Sequence, residues 1–136
     1  VSKFTDNVFL YPDMAYKLQP KLDKKMNMFD EMIIHSRGNF FRTDVEKTDI
    51  VLPEDNVDLS SRYQHPLCTG FPARQVTEKL ISHVAQYEVI HTNRLHAGIA
   101  GQMLGRRVFL YPNSYWKNEE VYNYSMCNDD NVVFVS

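Results

Sequence analysis

From residue 72 to its end the chain alternates between two hydrophobic periods, and no other feature restricts its fold as much. "PARQVTEKLISHVAQY" (72–87) puts Val76, Leu80, Ile81 and Val84 on one helical stripe, with Pro72 suited to a first turn. "EVIHT" (88–92) then has the length and texture of a buried strand. "RLHAGIAGQMLG" (94–105) returns to helical spacing through Leu95, Ile99 and Met103, and Gly105 suits the end of that helix. "RVFLYP" (107–112) is a strand, "WKNEEVYNYSM" (116–126) a helix and "NVVFVS" (131–136) a last strand. Short apolar strands alternating with amphipathic helices imply parallel βαβ units with right-handed crossovers. The expectation is a three-layer α/β domain whose parallel sheet includes strands at 39–42, 88–91 and 107–111.

The first half is less regular. "VFLYP" (8–12) has strand length. Residues 13–31 are charged and broken by Pro20, which reads as a short helical turn and a linker. A strand is expected around Asn39–Arg42, and 45–64 is polar and loop-rich, with Pro53 and an "EDN" turn. Residues 12–31 are therefore expected to connect, and 1–11 to pack less firmly than the rest.

With 136 residues, 43% of them hydrophobic and 24% charged, the chain suits one globular domain with a core. A net charge of −2 offers no overall basic field for nucleic acid, so any anion site must be local. No apolar run approaches the roughly 18–20 residues of a membrane span, and "VSKFTDNVFL" is not a signal-peptide pattern. Cys68 and Cys127 have no metal-ligand spacing and read as two reduced thiols, with a single bridge as the alternative.

In an open parallel sheet, ligands collect beyond the carboxyl ends of the strands. Three polar clusters fall there: "RTD" from Arg42, "HTNRLH" from His91 and "YPNSYWK" from Tyr111. In the second, Arg94 and His96 sit at a helix start, where the unpaired N–H groups already carry positive partial charge. A cation there costs up to about 1 kcal/mol unless an anion is near. Two readings stand level. Arg94 and the N–H groups hold an anionic ligand, with His96 as second cation or general acid; or Arg94 pairs with Glu88 or another acid while His96 caps a polar group. Ala97, Gly98, Ala100 and Gly101 permit close approach, to a neighbouring element or to a ligand. Asp44 could orient Arg42, though a surface charge cluster with Glu46 and Lys47 is the better reading of it. Asn113 and Ser114 suit a helix cap, Tyr115 and Trp116 a core, and Lys117 a solvated position. No phosphate-binding glycine loop, serine nucleophile elbow or metal-ligand histidine spacing is present.

The order of "PDMAY", "FFRTDVEK" and "VIHTNRLHAGIAGQMLGRRVFLYPNSYWK" resembles the polysaccharide pyruvyl transferase family. The likeness is strong over 88–117, good over 40–47 and weak over 12–16. Between 48 and 87 it rests mainly on element order. It implies a Rossmann-like domain similar to the C-terminal domain of GT-B-type glycosyltransferases, with the active site between two domains. Residues 1–31 would be the end of an N-terminal domain, itself missing, plus a connecting segment, and 32–136 the C-terminal domain. The chain would then be an excised domain or a natural truncation, inactive alone.

The resemblance also implies an activity: pyruvate transfer from phosphoenolpyruvate to two sugar hydroxyls as a ketal, in exopolysaccharide or cell-surface glycan synthesis. Arg42, Arg94 and His96 would face the donor as catalytic residues. Thr92, Asn93, Asn113, Ser114, Lys117 and Asp44 would bind substrate. The implied partners are phosphoenolpyruvate and a saccharide acceptor, free or lipid-linked, with no metal, organic cofactor or nucleic acid. The implied location is the cytoplasm, or the membrane periphery where the glycan is assembled. Two alternatives remain: a nucleotide-sugar-dependent glycosyltransferase domain, with Glu119 or Glu120 accepting from a ribose, and a non-catalytic binding or assembly domain.

Overall fold

The computed structural model describes residues 14–43, 51–59, 73–113 and 116–135. A 3₁₀ turn (Met14–Leu18) leads into α1 (Gln19–Asp23) and α2 (Met26–Glu31), then β1 (His35–Phe40). There follow α3 (Ala73–Ala85), β2 (Tyr87–Thr92), α4 (Leu95–Met103) and β3 (Arg107–Leu110). The last elements are α5 (Lys117–Val121), a π-helical turn (Tyr122–Met126) and β4 (Val132–Phe134). All strand pairs are parallel in the order β1-β2-β3-β4, a Rossmann-like α/β arrangement. Phe40 pairs with Thr92, Thr92 with Leu110 and Leu110 with Phe134, so the carboxyl ends of the four strands line up.

The described helices lie on one face of this sheet. His83 of α3 meets Phe40 edge-on at 5.7 Å, and Tyr122 of the π turn lies 5.4 Å from the Phe134 ring. Between them α4 rests directly on β2 and β3. A Cβ on Gly101 would stand 2.8 Å from Val108 Cγ2 and 2.9 Å from Ile90 Cδ1, and one on Gly98 3.1 Å from Leu110 Cδ1. Gly98 and Gly101 therefore serve approach to the sheet. The expected stripe of Leu95, Ile99 and Met103 is buried, and so are Ala97, Gly98, Ala100 and Gly101. Full burial of a side chain such as Ile99 stabilises the fold by about 1.5–3 kcal/mol. Gly105 ends the segment at φ 73°, a conformation that disfavours any side chain.

The opposite face carries Asn39, His91, Phe109 and Val133 in register, with His91 stacked on Phe109 at 4.6 Å. A second helical layer over that face, part of the expected three-layer arrangement, is not among the described residues.

Two expectations change. The strand expected at 39–42 runs from His35 to Phe40, so Arg42 lies past its end. "HSRG" is too polar to read as a strand, yet β1 is an edge strand whose first residues are exposed. The linker expected at 12–31 is, over 14–31, a chain of short helices docked on the domain. Leu22 and Phe29 enter the core, the Tyr16 hydroxyl donates to Gln102 Oε1, and Gln19 Nε2 donates to the Met103 carbonyl at 2.9 Å.

Arg106 is a residue that sequence reasoning passed over. Its buried guanidinium donates to the carbonyls of Phe29 (2.7 Å), Ala85 (3.0 Å) and Leu104 (2.9 Å), and to Asp30 at 2.8 Å. One cation thus answers the negative carboxyl ends of α2, α3 and α4 together. The strand at 8–12 lies outside the described residues.

Candidate functional site

β1, β2 and β3 each end in a turn, and two asparagines and a threonine lock these turns together. Thr92 Oγ1 donates to the Phe40 carbonyl at 2.5 Å and accepts from the Arg94 N–H at 2.9 Å. Asn93 Oδ1 accepts the Arg42 N–H at 2.8 Å. Asn118, at the start of α5, donates its amide to the carbonyls of Asn93 (2.8 Å) and Tyr111 (3.0 Å). Thr92, Asn93 and Asn118 are 0%, 1% and 1% exposed. Thr92 and Asn93, expected to bind substrate, have a turn-locking role in the structure. Thr92 Oγ1 and Asn93 Oδ1 serve backbone groups that would otherwise be buried without partners, which is costly.

Around the locked turns lies a cleft of about 210 Å³. Arg42, Arg94, His96, Asn113 and Lys117 line it, with Asn118 and the apolar Leu59, Leu80, Leu95 and Ala97. Five of the nine residues expected at the site therefore share one cavity. Asp44 and Ser114 lie outside the described residues. His96, at the cleft, is the one exposed residue in Leu95–Met103, and Gln102 is partly exposed. A larger groove of about 420 Å³ between α1, α2 and α3 is lined mainly by Leu18, Leu22, Met28, Phe29 and Ile81. It has the lysines Lys21 and Lys25 at its side but no cluster of convergent catalytic groups.

Arg94 is not in the first helical turn. It is the N-cap residue, in extended conformation, and α4 begins at Leu95. Its guanidinium grips Asp58 through two parallel hydrogen bonds, Nε to Oδ1 at 3.0 Å and Nη2 to Oδ2 at 2.8 Å. An anion for the cationic helix start is thus supplied from within the chain, by an acid other than Glu88. Asp58 Oδ2 also accepts from the Thr43 N–H (2.9 Å) and hydroxyl (3.0 Å). Burial alone would raise the Asp58 pKa, but the bonds from Arg94 and Thr43, with the Arg94 charge, hold it below its ordinary value.

Asp58 is the residue that sequence reasoning missed. It stands on a segment laid along the outer edge of β1, where the Val57 N–H donates to the Asn39 carbonyl (3.0 Å) and the Phe41 N–H to Asn56 Oδ1 (2.7 Å). The sole signal was the pair of short polar side chains, Asn56 and Asp58, in a segment that otherwise reads as a spacer.

No family model and no curated protein matches the chain. It is similar to the crystal structure of a functionally uncharacterised protein from Klebsiella pneumoniae subsp. pneumoniae NTUH-K2044, with a TM-score of 0.63 and 36% sequence identity. The likeness covers 76% of this chain and 38% of that one, so the chain spans well under half the length of the protein it matches.

Proposed function

We propose that the cleft binds phosphoenolpyruvate and that the chain is the donor-binding part of a polysaccharide pyruvyl transferase. One observation carries the reading: Arg42, Arg94, His96 and Lys117, from three separate turns, line a single cavity at the carboxyl edge of the sheet. The donor has a phosphate and a carboxylate, and arginine forks suit both groups. In this reading Arg42 and Arg94 hold the two anionic groups, and Lys117 adds charge stabilisation. His96 gives a proton to the methylene carbon, which becomes the ketal methyl group. One acceptor hydroxyl adds to the neighbouring carbon and a second displaces phosphate; one hydroxyl proton restores His96 and the other leaves with the phosphate. Positioned acid catalysis of this kind is typically worth about 10²–10⁴-fold.

Calorimetric titration with phosphoenolpyruvate, beside uridine diphosphate, tests the reading. Phosphoenolpyruvate should bind and uridine diphosphate should not, with Arg42→Ala and Arg94→Ala each weakening the interaction by about tenfold or more. Preferential binding of the nucleotide would establish the glycosyltransferase alternative instead.

A further inference from the structure

We propose that Asp58 is a positioning residue for the anion site, acting through Arg94; the inference rests on the phosphoenolpyruvate reading of the cleft. Asp58 is not itself among the residues lining the cavity. Its side chain is 4% exposed and both carboxylate oxygens are engaged. A bidentate pair fixes the plane of a guanidinium as well as its place, which a single contact cannot do.

The same carboxylate holds the Thr43 N–H, while Asn93 Oδ1 holds the N–H of the neighbouring Arg42. Two bridges therefore join the turn after β1 to the turn after β2: Asp58 between Thr43 and Arg94, and Asn93 to Arg42. Together they keep Arg42 and Arg94 in one relation. Asp58 acts on an incoming anion in two opposed ways. Its charge offsets that of Arg94 and weakens attraction. Its two oxygens orient the guanidinium and remove the entropy cost of ordering it on binding. Positioning is the larger effect, because the cleft opens to water, where one added charge is screened.

The opposed signs make a clean test: calorimetry of inorganic phosphate and phosphoenolpyruvate with the wild-type chain, Asp58→Asn, Arg94→Ala and the double variant, at one salt concentration. Asp58→Asn should weaken binding about tenfold although it makes the cleft more positive. The double variant should lose far less than the product of the two single losses, because Asp58 acts mainly through that arginine. Tighter or unchanged binding by Asp58→Asn would overturn the proposal, and so would losses that multiply in the double variant. If Arg94→Ala binds like wild type, the cleft reading itself falls; if only Asp58→Asn does, the cleft stands and the positioning role falls. Should Asp58→Asn fail to fold, Thr43→Val decides. It removes one hydroxyl bond to the same carboxylate and should weaken binding about two- to threefold, and no change would overturn the role.

Discussion

Asn118 reaches from α5 to the turn after β2 and donates to the Asn93 carbonyl at 2.8 Å, while its second amide hydrogen goes to Tyr111 at 3.0 Å. Two carbonyl acceptors fix the orientation of the amide, because a flipped group would set oxygen against oxygen. Its own Oδ1 is buried without a partner. Asn118→Ala should cost about 1–3 kcal/mol, since it strands two carbonyls. Asn118→Asp should cost more, since it places a carboxylate against the same carbonyls. Urea midpoints measure both, and the lower midpoint belongs to the Asp variant.

The Arg94–Asp58 pair should appear in acid unfolding. The Asp58 pKa is depressed from its ordinary 3.8 in the folded chain. Its contribution is therefore full above that value and is lost as pH falls through the lower, folded value. Wild-type stability should decline across this window more steeply than that of Asp58→Asn, which has no proton to take up there. Equal slopes in a pH series of denaturant midpoints would remove the pair from the account of acid stability.

The parallel sheet was legible because strands covered by helices are short apolar runs, and β2 and β3 differ from the expected bounds by a residue or so. That Arg42, Arg94 and His96 lie near one edge of the sheet was legible because each falls within four residues of a strand's carboxyl end. The partner of Arg94 was not, since it depends on a segment thirty-six residues earlier that pairs with β1 through tertiary contacts. Residues 14–31 were misread for a related reason. Helices of five and six residues have no room for a periodic stripe, and part of what holds the second of them is Arg106, which reaches the Phe29 carbonyl, an acceptor that no side-chain pattern encodes. Thr92 and Asn93 look like ligand-binding residues in any list of polar side chains at a strand end. Only their geometry shows that they lock the turn.

His91 offers a test of the opposite face of the sheet. It stacks on Phe109, its Nδ1 lies 3.1 Å from the Tyr111 hydroxyl, and burial, then the Arg37 charge, lower its pKa from 6.5. For a base whose folded pKa is depressed, the unfolded chain takes up the proton first. Stability is thus full above about pH 6.5 and falls as pH drops through the folded value. His91→Phe should flatten that decline, and Arg37→Gln should move the His91 titration, followed by NMR, back toward the ordinary value. An unchanged titration in Arg37→Gln would remove the arginine as a cause.

His96 separates function from folding more sharply than any other residue of the cleft. It stands at the second position of α4, exposed, on a helix otherwise packed on the sheet. A cation there has no dipole advantage, so the fold gains little from it. His96→Gln should leave stability within about 0.5 kcal/mol, as for most exposed positions. It should also retain phosphoenolpyruvate binding, because the arginines and Lys117 remain. In a pyruvyl transferase that contains this domain, phosphate release from phosphoenolpyruvate in the presence of acceptor glycan should fall by about 10²–10⁴-fold, the scale of a lost general acid. The two assays are a denaturation midpoint and inorganic phosphate release. A large loss of stability would make His96 a structural residue of the helix start, and an unchanged rate would remove it from the chemistry.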